Sequence, residues 1–292
     1  MIKVSHSVFA LPFALIGAFM AARSAYHAGI AAHPWPMTGQ VLLIVGCMIA
    51  GRSVAMTFNR IVDAGLDARN PRTAGRAIPA GTISVRQATA FLAFAVFAFI
   101  LCCLGFWWYF ANPVPIALSW LVLAYLCFYS YTKRFTRWSH FVLGGALSLS
   151  PVGAWLAIDP ASTGWPALAL MGAVIGWVGG FDIIYACQDI DFDRAQGLFS
   201  LPSRIGASKA LWIARLAHIV TIAHLLLLIP LAGLGWLYAL GVGATSLLLL
   251  IENSLVRADD FSRVNVAFFT INGLVSLFLA TSAIADIVWV SS

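Results

Sequence analysis

Charge is scarce in this chain. Only 10% of its 292 residues are Asp, Glu, Lys or Arg, against about a quarter in a soluble globular domain, while 61% are hydrophobic and the mean hydropathy is +0.91. A soluble fold is excluded, and a polytopic membrane protein follows. Strict apolar–polar alternation is missing as well. That removes the β-barrel, one of the two structures that satisfy every backbone polar group in lipid, and leaves an all-α bundle. The five cysteines (Cys47, Cys102, Cys103, Cys127 and Cys187) fall inside or at the ends of apolar runs, lack metal-ligand spacing and read as packing thiols. Neither G-x-x-x-x-G-K-[ST] nor G-x-G-x-x-G is present, so no loop of the nucleotide-binding kind cradles phosphates; H-E-x-x-H and a Ser-His-Asp order are absent too. No nucleic acid is expected as a partner.

What the chain has is apolar runs of bilayer-spanning length. About nine are read, at residues 8–26, 41–58, 87–106, 114–131, 140–158, 166–187, 211–229, 231–251 and 264–289, in a single integral-membrane domain covering 1–292. Lys3 ahead of the first run suggests a secretory signal, but with eight spans downstream the run reads as a retained first helix.

The basic residues are unevenly placed. Arg60, Arg69, Arg72, Arg76 and Arg86 follow the second span; Lys133, Arg134 and Arg137 follow the fourth. Arg194, Arg204, Lys209 and Arg215 lie around the connection after the sixth, and Arg257 and Arg263 follow the eighth. Short connections rich in Lys and Arg stay cytoplasmic, which puts the amino terminus and these connections inside an inner (cytoplasmic) membrane and the carboxyl terminus outside. Orientation alone accounts for arginines. It does not account for aspartates, which contribute little to that rule.

Six of the 11 acidic residues lie in two short segments on this same face: Asp63 and Asp67, then Asp182, Asp189, Asp191 and Asp193. Asn59, Asp63 and Asp67 recur at i, i+4 and i+8, one stripe of a helix; Asp182, Tyr185, Asp189 and Asp193 form a second stripe, with Asp191 pointing elsewhere. Like charges at i, i+4 weaken a helix, and ionisable groups near membrane depth are costly. A divalent cation offsets both. Carboxylate and amide oxygens suit Mg²⁺, which prefers a few carboxylates plus substrate phosphates to an all-protein cage. Arg72, Arg76, Lys133, Arg134 and Arg204 are the matching candidates for a diphosphate. The plainer alternative is interfacial salt bridging between these acids and the local arginines.

These residues resemble the UbiA superfamily of intramembrane prenyltransferases. The first family motif, Asn-Asp-x-x-Asp-x-x-x-Asp, reads here as Asn59-Arg60-x-x-Asp63-x-x-x-Asp67, followed by Asn70-Pro71-Arg72-Thr73-Ala74-Gly75-Arg76. The second, Asp-x-x-x-Asp, is Asp189 to Asp193, preceded by Asp182-x-x-Tyr185-Ala186 as in the 4-hydroxybenzoate branch; Tyr131-Thr132-Lys133-Arg134 resembles that branch's basic connection. Two positions depart from the pattern: Arg60 replaces the first family aspartate, and Phe199 stands where a lysine is common. With Leu201-Pro202-Ser203-Arg204, IKVSHSVFALPFAL and NVAFFTING, this is similar to a bacterial subgroup, some members of which use a dihydroxynaphthoate in the futalosine route to menaquinone.

The resemblance implies a nine-helix fold and Mg²⁺ held by Asn59, Asp63, Asp67, Asp189 and Asp193. It also implies a polyprenyl diphosphate donor reached from membrane lipid, and a small aromatic acid as acceptor, 4-hydroxybenzoate or 1,4-dihydroxy-6-naphthoate, in ubiquinone or menaquinone biosynthesis. Asp182 or Asp189 is the expected base, Tyr185 an aromatic face for the allylic cation, and Lys3 with His6 the expected contact for the acceptor carboxylate, Lys3 reading equally well as a plain anchor of the amino terminus. A transporter of an organic anion is the alternative of another class, but transporters place their sites near the midplane, whereas both acidic segments sit at the interface.

Overall fold

The computed structural model describes residues 10–290; Lys3 and His6 lie outside the described residues. Among the described residues nine long helices form the bundle: α1 (Ala10–His27), α2 (Thr38–Val62), α4 (Val85–Phe110), α5 (Val114–Thr132), α6 (Ser139–Ile158), α7 (Trp165–Ala186), α10 (Ala207–Ala232), α11 (Trp236–Leu255) and α12 (Asn272–Trp289). Three short helices sit in the connections: α3 (Ala64–Arg69), α8 (Ile190–Ala195) and α9 (Leu201–Ile205). A π-helical turn, Val266–Ile271, leads into α12. The protein is thus a multi-pass membrane protein with eight helical spans among the described residues long and apolar enough to cross a bilayer. The expected first span is present as α1 from residue 10 onward, and its last two turns carry Arg23 and His27.

Those two turns have a structural use. Arg23 donates to the carbonyls of Ala232 (3.1 Å) and Gly233 (3.0 Å), satisfying the end of α10. Gly233 takes a left-handed φ of 59° there, a conformation that costs glycine nothing, and so stops the chain before α11. This is why the eighth span begins at Trp236 and not near residue 231. Asp286 of α12 caps the start of α11, accepting from the amides of Gly235 (2.7 Å) and Tyr238 (3.1 Å).

The bundle is built around α7. Of its most apolar stretch 72% is buried, against 17% for α5, which faces lipid. Lipid tails are as apolar as the side chains they touch, so helices in a membrane associate by close packing of small residues. Gly144 of α6 backs onto the Ile175 carbonyl of α7, where an added Cβ meets oxygen at 2.7 Å. At Gly176 an added Cβ meets Thr221 Oγ1 at 2.7 Å and the Ala217 carbonyl at 2.8 Å on α10. On the other side, α2, α4, α5, α6 and α7 together line a cavity described below. Gly176→Val is expected to destabilise the bundle by about 1–3 kcal/mol through overpacking, seen as a lower thermal midpoint in detergent. Gly243→Ala, where nothing lies within 4 Å, is the control expected to hold the midpoint.

Candidate active site

Neither acidic stripe runs along one helix. α2 ends at Val62 and Asp63 sits at the break, with φ −94° and ψ 6°, before α3 begins. α7 ends at Ala186, a 3-10 turn spans Cys187–Asp189, and α8 carries Asp193. The breaks turn the acids toward different neighbours, relieving the repulsion that one continuous stripe imposes.

Each of four acids meets its own cation. Arg134 Nη2 donates to Asp63 Oδ1 at 3.0 Å and to the Val62 carbonyl at 2.9 Å, while Asn59 Nδ2 donates to Asp63 Oδ2 at 2.9 Å. Arg76 Nη1 donates to Asp67 Oδ1 at 2.5 Å. Lys133 Nζ lies 3.2 and 3.1 Å from the two oxygens of Asp193. Arg72 grips Asp189 with a two-pronged fork, Nε to Oδ1 at 3.0 Å and Nη2 to Oδ2 at 2.5 Å, and donates from Nη1 to the Tyr185 hydroxyl at 3.0 Å. Asn70 Nδ2 adds a bond to Asp189 Oδ1 at 3.2 Å. The fork joins the connection after α2 to the connection after α7 across 117 residues of sequence.

The electrostatics follow from burial and pairing. Burial pushes the Asp63 carboxyl above the usual carboxylate range, against the pull of Arg134 and Asn59. For Arg72 burial works to lower the guanidinium, but the bonds and charge of Asp189 outweigh it and raise it. Asp67 and Asp193 are buried; Asp193 Oδ2 has the Lys133 ammonium beside it, while Asp67 Oδ2 has no hydrogen-bond partner. Arg60, at the position of the first family aspartate, stands 3.7 Å from Asp67 Oδ2.

These groups rim the mouth of a cavity of about 470 Å³. Its wall continues down α2 from Asp63 to Ile44, about 28 Å at 1.5 Å per residue, close to the full hydrocarbon thickness of about 30 Å. The deep wall is apolar, with Met48, Phe99, Phe106, Leu118 and Leu147. Polar and apolar linings therefore lie at opposite ends of one space.

Of the residues expected from sequence, Asn59, Asp63, Asp67, Arg72, Arg76, Lys133, Arg134, Asp182, Tyr185, Asp189 and Asp193 all line this cavity. Arg204 is placed elsewhere: its guanidinium stacks 3.8 Å above the Phe199 ring and reaches the Gly197 carbonyl. Asp191 is exposed. Two wall residues were not anticipated. His140, buried, bonds Asp182 Oδ2 through Nδ1 at 2.7 Å and accepts from the Leu201 amide at Nε2, 3.2 Å. An amide can only donate, so Nε2 is bare, the proton is on Nδ1, and a neutral imidazole donates to Asp182. Its distance from Asp182 in sequence left no spacing signal. Arg52, in mid α2, lines the cavity with Nε buried and unpartnered; an ionisable residue inside an apolar span was itself the available signal.

Comparison with known proteins agrees with this geometry. Residues 10–274 match the model of the UbiA prenyltransferase family. The 4-hydroxybenzoate octaprenyltransferase of Aeromonas hydrophila is 30% identical over 251 residues, 86% of this chain and 85% of that relative. The apo structure of a UbiA homolog from Aeropyrum pernix K1 superposes with a TM-score of 0.83 at 28% identity, covering 98% of this chain and 99% of that one. A UbiA homolog from Archaeoglobus fulgidus bound to DMAPP and Mg²⁺ shares the fold, with a TM-score of 0.65 at 18% identity over 96% and 98% of the two chains.

Arg72→Ala and Asp189→Ala are expected to be non-additive. A double-mutant cycle read by thermal unfolding should give a coupling of about 0.5–3 kcal/mol; strict additivity would show that the fork does not join the two connections.

Proposed function

The chain belongs to the UbiA prenyltransferase family, and from that premise we propose that it transfers a polyprenyl group from a polyprenyl diphosphate to a ring carbon of a small aromatic acid. 4-Hydroxybenzoate is the acceptor favoured by the relative named above, and quinone biosynthesis is the setting. The reaction runs at the cytoplasmic face of the inner membrane, the side assigned to the basic connections by the positive-inside rule. The observation that carries this reading is the convergence of both acidic connections, through Arg72 and Asp189, on the polar mouth of a long apolar cavity.

The residues present fit Mg²⁺. The donors are hard oxygens, and Asp67 Oδ2 is buried without a hydrogen bond. Among the described residues no three carboxylate, imidazole or thiol groups converge on one point, so the ion would need oxygens from the substrate phosphates as well. Asn59, Asp63, Asp67, Asp189 and Asp193 would hold it. When bound, Mg²⁺ neutralises the diphosphate and makes it a better leaving group.

The basic side chains do the rest at the mouth. Arg72, Arg76, Lys133 and Arg134 now neutralise the acids; a diphosphate offers each of them oxygens of the same charge, in a geometry that suits Arg bidentately and Lys as a point charge. They stabilise the negative charge that grows as the allylic C–O bond breaks. The electron pair leaves with the diphosphate, and the allylic cation meets the faces of Tyr185, Phe181 and Phe268. The acceptor attacks through a ring carbon, and the ring proton passes to a carboxylate. Asp189 is assigned to the metal, which leaves Asp182 as the better base, oriented by His140. Arg52 supplies a cation for the acceptor carboxylate from within the described cavity wall.

The test is an assay with geranyl diphosphate, Mg²⁺ and either 4-hydroxybenzoate or 1,4-dihydroxy-6-naphthoate, following pyrophosphate and prenylated product. Asp63→Ala and Asp189→Ala are expected to lose about 10²-fold or more, and EDTA to stop turnover of the parent. Full turnover in EDTA, or in Asp189→Ala, would remove the metal assignment. Arg52→Ala is expected to raise KM for the acceptor with little change in KM for the donor; unchanged acceptor KM would remove Arg52 from that role.

A further inference from the structure

A second polar cluster lies deep in the bundle, away from the mouth. Asn272, Glu252 and Trp177 are fully or almost fully buried. Trp177 Nε1 donates to Asn272 Oδ1 at 2.6 Å, and Asn272 Nδ2 donates to Glu252 Oε1 at 2.7 Å. An ionisable side chain buried at membrane depth is costly and marks function more often than packing. What the cluster holds is the π-helical turn. Asn272 Nδ2 also reaches the carbonyls of Ala267 (3.1 Å) and Phe268 (3.3 Å) inside Val266–Ile271. π-Turns are rare and collect at functional sites.

The turn aims Phe268 into the cavity. Its ring centroid is 4.3 Å from that of Tyr185 and 5.2 Å from that of Phe181, the latter at 89°. Phe181 in turn packs edge-on against Trp177, at 5.2 Å and 80°. Trp177, Phe181 and Tyr185 fall at i, i+4 and i+8 on α7, one face of the helix. This aromatic wall is thus pinned at two points: at the mouth by Arg72 on the Tyr185 hydroxyl, and in depth by Trp177 and Asn272.

Resting on the prenyltransferase reading, we propose that Asn272 and Glu252 are positioning residues: they lock the π-turn so that Phe268 closes an aromatic wall against Phe181 and Tyr185 and keeps water from the allylic cation. The cation has two fates. Capture by the acceptor ring forms a C–C bond and releases the ring proton to a base; capture by water forms a prenyl alcohol and releases a proton to solvent. The wall sets the ratio between them.

The experiment uses the full chain in nanodiscs with Mg²⁺, geranyl diphosphate and 4-hydroxybenzoate, or 1,4-dihydroxy-6-naphthoate where that is the acceptor consumed. It measures prenyl alcohol against prenylated arene. Asn272→Ala, Glu252→Ala and Phe268→Leu are each expected to raise the alcohol-to-arene ratio roughly threefold or more, the size of one cation–π contact, with KM for geranyl diphosphate unchanged in Asn272→Ala and Glu252→Ala. Glu252→Gln keeps an oxygen for Asn272 to donate to and should hold the parent ratio. A merely structural role lowers yield and thermal midpoint but leaves the ratio alone, and Phe268→Leu reads the wall directly if the polar variants fold poorly. Parent ratios in Asn272→Ala and Phe268→Leu would overturn the proposal. A parent protein that releases no pyrophosphate and forms no arene would instead overturn the prenyltransferase reading beneath it.

Discussion

The fork between Arg72 and Asp189 is the contact on which the rest of the site depends. It brings two connections, far apart in sequence, to one place beside lipid, and it does so with charges that are costly to bury unless paired. The same solution recurs at Asp63, Asp67 and Asp193, each with its own Arg or Lys. In the proposed reaction every member of these pairs would also serve a metal diphosphate: the carboxylates for the cation, the bases for the phosphate oxygens. Ligand binding can therefore exchange one set of partners for another without leaving a charge uncompensated, which is why so dense a charge cluster is tolerable at the edge of a bilayer.

Beneath that cluster the bundle solves a different problem. An isoprenoid chain needs apolar space of nearly membrane depth, and a cation generated at its head needs shelter from water. α2, α4, α5 and α6 supply the space; α7, the most buried helix, supplies an aromatic face that runs from Trp177 to the acids. The helix that holds the core together is also the one that carries Asp182, Tyr185 and the approach to Asp189. Stability and chemistry are thus drawn from the same element.

Much of this was legible in the sequence. Apolar run length located the long helices closely, because bilayer thickness leaves few alternatives, and the start of α11 differs where Gly233 and Arg23 end α10. The acids and their nearby bases were recognisable by residue type and shared membrane face. The continuous stripes were not real: helical periodicity carries no information on where a helix breaks, and both break at the acids. Pairing between individual acids and bases, the neutral His140 beside Asp182, and the turn of Arg204 away onto Phe199 depend on tertiary placement that spacing does not encode. Arg52 is visible in the sequence as a charge inside an apolar run, but spacing alone does not show that it faces the cavity.

The central claim is that both acidic connections serve one metal diphosphate. The most direct measurement is electron paramagnetic resonance of Mn²⁺ bound with geranyl S-thiolodiphosphate, a donor that resists ionisation. The account predicts a bound Mn²⁺ signal that requires the diphosphate and is lost in Asp63→Asn and in Asp189→Asn alike. A signal that persists in either variant, or that forms fully without the diphosphate, contradicts it.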